Sequence, residues 1–178
     1  MEMKPEWLPN LVLLEKYQNN WDKYIEALYD YFCKDFVYDK PLFRGTMLVL
    51  KRLPLGKDGK EATFWHMISE GRIEQERTPD LRRCERIRWP KPIVEHSECN
   101  NIKVWENERR GEKRICLWFE DIEYLVVLAK RNGYILFWTA YLVKENHKKR
   151  KLNKEFEEFR EAGDAPKDGT VTPSTHGR

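Results

Sequence analysis

His66 stands in the segment Thr63-Phe-Trp-His-Met-Ile-Ser-Glu70. An unperturbed imidazole titrates near 6.5, so this side chain suits proton transfer at neutral pH. A core histidine is the alternative, because strict alternation would set it on one face with Phe64 and Ile68. The stretch Thr78-Pro-Asp-Leu-Arg-Arg-Cys-Glu-Arg-Ile-Arg-Trp-Pro90 crowds Arg82, Arg83, Arg86 and Arg88 together. Planar guanidiniums of this kind grip phosphate oxygens in two places. Ion pairs with Glu76, Asp80 and Glu85 would use the same groups structurally. In Phe137-Trp-Thr-Ala-Tyr-Leu142, Thr139 and Tyr141 fall on one side of an expected strand. That hydroxyl pair suits holding a phosphate or positioning a nucleophile. Phe137 and Val143 would share the side, which fits a structural role equally well. The basic run His147–Lys151, with Lys144 and Lys154, reads as a solvated helix face or as a sequence-blind, salt-sensitive contact with a nucleic-acid backbone.

These residues need a scaffold, and the composition allows one. The chain has 178 residues and 21.6 kDa, enough for one domain with a real core. It is 40% hydrophobic and 35% charged, with a mean hydropathy of −0.80. The 13% aromatic content, including 7 Trp, argues for order despite the charge. No apolar run approaches the ~20 residues that cross a bilayer, and the N-terminus lacks the apolar stretch of a secretory signal. A cytoplasmic protein without membrane contact is expected. The net charge of +3 is uneven: residues 1–43 hold 5 Lys/Arg against 8 Asp/Glu, so the remainder is distinctly basic. Such a surface is compatible with nucleic acid.

Several classes of chemistry lose support. The chain has no phosphate loop ending in Lys-Ser/Thr, no G-x-G-x-x-G, no H-E-x-x-H and no G-x-S-x-G. Cys33, Cys84, Cys99 and Cys116 form no C-x-x-C pair and no zinc spacing, so reduced thiols are expected, with no metal and no cofactor.

The elements read as follows. Residues 11–36 carry Leu14, Tyr17, Trp21, Tyr24, Leu28, Tyr31 and Phe32 at three- and four-residue steps, the stripe of an amphipathic helix. Residues 42–53 and 62–69 read as two strands joined by a turn at Asp58-Gly59. A polar, arginine-rich connection over 70–91 is closed by Pro90 and Pro92. Strands are expected at 102–105, 114–119, 124–129 and 134–143, the last two flanking a turn at Asn132-Gly133. Residues 145–161 carry Leu152, Phe156 and Phe159 at helical spacing, which predicts a basic surface helix. Short connections make the sheet largely antiparallel. The expected fold is α+β, with an N-terminal helix over residues 1–36 packed on a mainly antiparallel sheet of about six strands and followed by the basic helix. One domain would span 1–160, with a disordered tail over 161–178.

The succession T-F-W-H-M-I-S (63–69), P-D-L-R-R-C-E-R-I-R-W (79–89), K-V-W-E-N (103–107), Y-L-V-V-L (124–128) and W-T-A-Y-L-V (138–143), ahead of a basic helix, resembles phage- and prophage-associated proteins of the barnase–EndoU–colicin–RelE-like nuclease group. The resemblance covers about residues 36–160. It implies a helix preceding an antiparallel sheet and metal-independent RNA cleavage, in which the 2′-hydroxyl attacks its own phosphodiester and leaves a cyclic phosphate. Carried over by position, His66 would be the general base or acid, Arg83 and Arg86 would stabilise the phosphate, Thr139 would orient it, and Tyr141 would transfer a second proton or stack. EndoU-type members usually offer two histidines, and neither His96 nor His147 has a companion motif here. The implied protein is a toxin or antiphage effector acting on tRNA or mRNA, with an inhibitor protein as a further partner. Two other readings stand beside it. One is an RNA-binding module in which exposed Trp105 and Trp118 stack bases. The other is a protein-interaction component of a toxin–antitoxin pair that presents its acidic first helix to a partner.

Overall fold

The computed structural model of the chain describes residues 4–56, 58–73 and 76–164. The first helix starts later than the stripe of apolar residues suggests. Leu14–Tyr17 makes only a 3-10 turn, after which Gln18 and Asn19 adopt left-handed φ values of 59° and 54°. Asn20 then caps a new helix by accepting from the Lys23 N–H at 3.0 Å. That helix, α1 (Trp21–Phe32), continues as a π-helical turn over Cys33–Tyr38. Tyr24, Ile25, Leu28, Phe32 and Phe36 form its buried face.

The expected strand over 42–53 is a short hairpin, β1 (Leu42–Phe43) and β2 (Thr46–Val49). Arg44 and Gly45, at φ 48° and 80°, turn the chain between them. The expected strand over 62–69 is a helix, α2 (Ala62–Ile68). Nearly every residue there is apolar, so both periods fit the sequence, and tertiary packing chooses. Thr63, Phe64, Met67 and Ile68 are the buried face, with the Phe64 ring 5.5 Å from Phe32 and 5.1 Å from Tyr29. His66 therefore does not share a face with Phe64 and Ile68; it is half-buried while they are sealed.

The arginine-rich connection is structured as well. It holds a two-stranded ribbon, β3 (Ser69–Glu70) with β4 (Thr78–Pro79), and two short helices, α3 (Leu81–Glu85) and α4 (Pro90–Glu95). Pro90 opens α4 at a position where a missing N–H costs nothing.

Four long strands follow: β5 (Lys103–Arg109), β6 (Glu112–Phe119), β7 (Tyr124–Arg131) and β8 (Tyr134–Leu142). The six-stranded sheet runs β1-β2-β8-β7-β6-β5 and is antiparallel throughout except at β2·β8. β6 and β7 are buried on both faces. Ile115, Leu117, Val126 and Leu128 meet the layer of α1, α2 and α4, whereas Cys116, Trp118, Leu125 and Val127 face the other way. That second face is covered by α5 (Asn146–Asp164) through Leu152 and Phe156. The chain is thus α+β, with an N-terminal helix, a curled and mostly antiparallel six-stranded sheet and a C-terminal helix. α5 runs past residue 160, and the rest of the expected tail lies outside the described residues. Among the described residues no helix is long and apolar enough to cross a membrane.

Candidate functional site

The site begins with an irregularity in β8. Leu128 pairs with Phe137 and Val127 with Thr139, so Trp138 is an extra residue with no partner on β7. Before this bulge Ile135 and Phe137 point to the α1 side; after it Ala140 and Leu142 do. Thr139, Tyr141 and Val143 consequently line the α5 side, together with Trp138. The expected pairing of Thr139 with Tyr141 is what the strand presents. Phe137, expected beside them, lies on the opposite face because the bulge reverses the alternation.

Arg83 reaches this strand from α3. The Asp80 side chain caps α3 by accepting from the Arg83 N–H at 2.9 Å, which sets the phase of the helix. The Arg83 guanidinium then donates to Thr139 Oγ1 at 3.4 Å and to the Ala140 carbonyl at 3.5 Å, and lies over the Tyr141 ring at 5.2 Å. β2 pairs with β8 only at Ile135 and Leu136, so Arg83 meets a part of the β8 edge that no strand covers. Three of the five expected site residues are therefore brought together: Arg83 touches both Thr139 and Tyr141, although it lies more than fifty positions from them along the chain.

Behind them is a cavity of about 260 Å³ between the sheet and α5. Thr139 and Tyr141 line it with Arg109, Arg114, Lys148 and Lys151, over a floor of Leu125, Val127, Val143 and Leu152. Four of its thirteen lining residues are cationic and none is acidic. Tyr141 and Lys148 also line an adjoining basin with Arg82 and Arg83 and with three carboxylates, Glu70, Asp80 and Glu145, so the two spaces meet at Tyr141 and Lys148. Burial raises the Tyr141 phenol above its ordinary value, so it remains a neutral hydrogen-bond donor at neutral pH. Burial likewise pushes the Cys116 thiol up to about 12, which leaves it an unreactive part of the wall. Arg114 stacks over Trp138 at 5.5 Å, and its buried Nε has no hydrogen-bond partner.

Carboxylates on the sheet side and on α5 hold this roof in place. Glu155 of α5 accepts from Trp105 Nε1 at 3.3 Å, Asn107 Nδ2 at 2.9 Å and Arg109 Nη2 at 2.9 Å. Glu120 accepts from Lys103 and from Asn153, and Glu123 from Lys149 and Lys144. The Lys103 ammonium lowers the Glu120 carboxyl below its usual range, and Lys149 does the same for Glu123.

The other two expected residues lie elsewhere. His66 lines a separate groove of about 150 Å³ with Lys51, Thr63, Leu136, Phe137 and Trp138. Its backbone carbonyl accepts from Arg77 Nη2 at 3.2 Å. Trp138 borders both this groove and the basic cavity, so the imidazole sits on the far side of that indole from the α5 roof. Arg86 is not in the cavity: its guanidinium rests over Trp89 at 5.0 Å and pairs with Glu85 at 3.1 Å. Trp105 and Trp118 are 1% and 0% exposed, so neither is free to stack a base. Arg109, Arg114 and Asn107 were missed from the sequence. Their signal was alternation: Asn107 pairs with Arg114 two positions beyond Trp105·Cys116 on the same face. Among the described residues, no three His, Cys, Asp or Glu side chains gather as a metal site. Comparison of the chain with protein-family models, with curated proteins and with solved structures gives no match.

Proposed function

We propose that the chain is a metal-independent endoribonuclease of the cytoplasm, a toxin or antiphage effector acting on tRNA or mRNA, and that the Arg83–Thr139–Tyr141 corner holds the scissile phosphate. The observation that carries this reading is the convergence itself: a guanidinium in no ion pair among the described residues is held on a strand hydroxyl and a neutral phenol, between a cavity lined by four cations and no acid and its own basin, where Glu70, Asp80 and Glu145 offset Arg82 and Lys148. A phosphorane gains negative charge on its equatorial oxygens, and pre-set donors of this kind stabilise it without reorganising. In the reaction the 2′-oxygen forms a bond to phosphorus and loses its proton. The 5′-oxygen leaves with a proton, giving a 2′,3′-cyclic phosphate and a free 5′-hydroxyl. This reading takes His66 as the proton-transfer group and so requires the 2′-oxygen or the 5′-oxygen to lie in the groove on the His66 side of Trp138 while the phosphate stays at the corner. Arg86 is assigned no phosphate contact.

A second reading has its own support. No histidine and no carboxylate lines the basic cavity, which is the composition of a site that binds RNA without cutting it. Incubation with total RNA in EDTA, followed by sequencing of the cleaved ends, separates the two. Cleavage that yields cyclic phosphates and is lost in His66→Ala and Arg83→Ala supports the nuclease. Variants that cut as the parent does overturn the mechanism, and RNA that is retained uncut leaves the binding module.

A further inference from the structure

Resting on that reading, we infer that the cavity beneath α5 receives one unpaired nucleotide of the RNA, with its base on the apolar floor and its phosphate at the Arg83–Thr139 mouth. The division of the lining points to this ligand. Inorganic phosphate alone would use Arg109, Arg114, Lys148 and Lys151 and leave Leu125, Val127, Val143 and Leu152 without a role. A purely apolar ligand would leave four cations facing it. A nucleotide joins a flat, largely apolar ring to an anion and meets both halves. A hydrogen-bonding group for a base edge is present at Asn107, whose amide is fixed by its donation to Glu155 at 2.9 Å.

Size and access narrow the class further. About 260 Å³ is slightly less than the roughly 300 Å³ at which cavities for drug-sized ligands begin, so it admits a single base, which is smaller than such a ligand, and no stacked pair. The α5 roof, tied down at Glu155 and Glu123, bars a duplex from the sheet face. A paired base would have to be extruded at a cost of a few kcal/mol, whereas a base in a single-stranded loop is already unstacked. The mouth is where the phosphate belongs, because Tyr141 and Lys148 are shared between the cavity and the basin that holds Arg83.

The test uses 2′-O-methyl oligonucleotides of mixed sequence, which lack the attacking hydroxyl and survive incubation. Fluorescence anisotropy compares a labelled single strand with its duplex, and then competes the single strand with each 5′-nucleoside monophosphate and with inorganic phosphate. The expected result is at least tenfold tighter binding of the single strand. At least one monophosphate should also compete at a tenfold lower concentration than phosphate. Val127→Phe, which fills the floor, should abolish the advantage of the monophosphate. Equal binding of the two strand forms, phosphate competing as well as every monophosphate, or a folded Val127→Phe that behaves as the parent overturns the inference. The competition on the unaltered chain decides the matter if that variant fails to fold. Loss of all RNA binding would instead overturn the proposed function itself, while cleavage of RNA without any preference for single strands overturns only the nucleotide pocket.

Discussion

Replacing Arg83 by alanine removes one cation from the mouth of the cavity, and the salt dependence of RNA binding gives the loss a size. Each phosphate neutralised on a single strand contributes a slope of about −0.7 to log K against log salt. Six cations face the cavity and its basin: Arg82, Arg83, Arg109, Arg114, Lys148 and Lys151. Arg109 already has Glu155 at 2.9 Å, Arg114 has Glu112 at 3.6 Å and Lys148 has Glu145 at 2.7 Å, so these three release fewer counterions. The parent slope should therefore lie between about −2, from the three free cations Arg82, Arg83 and Lys151, and about −4, from all six. Arg83→Ala should flatten it by about 0.7 and weaken binding by roughly 1.5–3 kcal/mol, the range for a hydrogen bond to a charged group. Arg86→Ala should change neither, because that guanidinium is held on Trp89 and by Glu85. Anisotropy titrations with the 2′-O-methyl single strand between about 50 and 200 mM salt measure both quantities. An unchanged slope in Arg83→Ala, or an equal drop in Arg86→Ala, would refute the assignment of the mouth to Arg83.

Three other outcomes follow from the packing and the charges. Leu152→Ala, which opens the contact between α5 and the sheet, should cost about 2–3 kcal/mol and lower Tm by roughly 5–10 °C, whereas Phe159→Ala on the exposed side should stay within about 0.5 kcal/mol; thermal melts compare them. Native labelling with a maleimide at pH 8, mapped by mass spectrometry, should modify half-buried Cys99 well before Cys84 and Cys116, whose thiols burial pushes up to about 12; equal rates at all three would contradict that burial. Glu120 and Glu123 are held below their ordinary values by Lys103 and Lys149, so their contribution to stability is complete above about pH 4.3 and is lost as the pH falls through the lowered folded-state values. Glu123→Gln should weaken that acid dependence in a circular-dichroism titration, and a profile identical to the parent's would show that the clamp on α5 is not linked to folding.

The C-terminal half of the fold was legible because its signals are local. The last two strands of the meander are apolar runs that end at turns: 134–143 was expected and Tyr134–Leu142 is found, 124–129 was expected and Tyr124–Arg131 is found, whereas the polar second half of β5 (Lys103–Arg109) ran past the expected 102–105. α2 was not legible, since its apolar residues satisfy a period of two and of 3.6 alike, and only the distant rings of Phe32 and Tyr29 decide between them. The break at Gln18 and Asn19 was hidden by a stripe that runs straight through it. Within the site, Thr139 and Tyr141 are two apart and both follow the bulge, so alternation placed them correctly. Phe137 precedes the bulge, which depends on pairing with β7 and leaves no mark in β8 alone. Choosing Arg83 over Arg86 required the phase of α3, which Asp80 fixes from outside the arginine run.

The unpaired Trp138 makes β8 a strand read in two frames. Its first half seals the aromatic interior beneath α1, and its second half, shifted by one residue, offers hydroxyls to the opposite side. Deleting Trp138 would restore a single frame over the whole strand. Phe137 would then be followed directly by Thr139, so Thr139 and Tyr141 would keep the α5 side, Ala140 and Leu142 the core side, and only the indole would be lost. One codon therefore governs a partition and not a facing: a related chain lacking that extra position would keep the hydroxyl pair and join the cavity to the groove of His66.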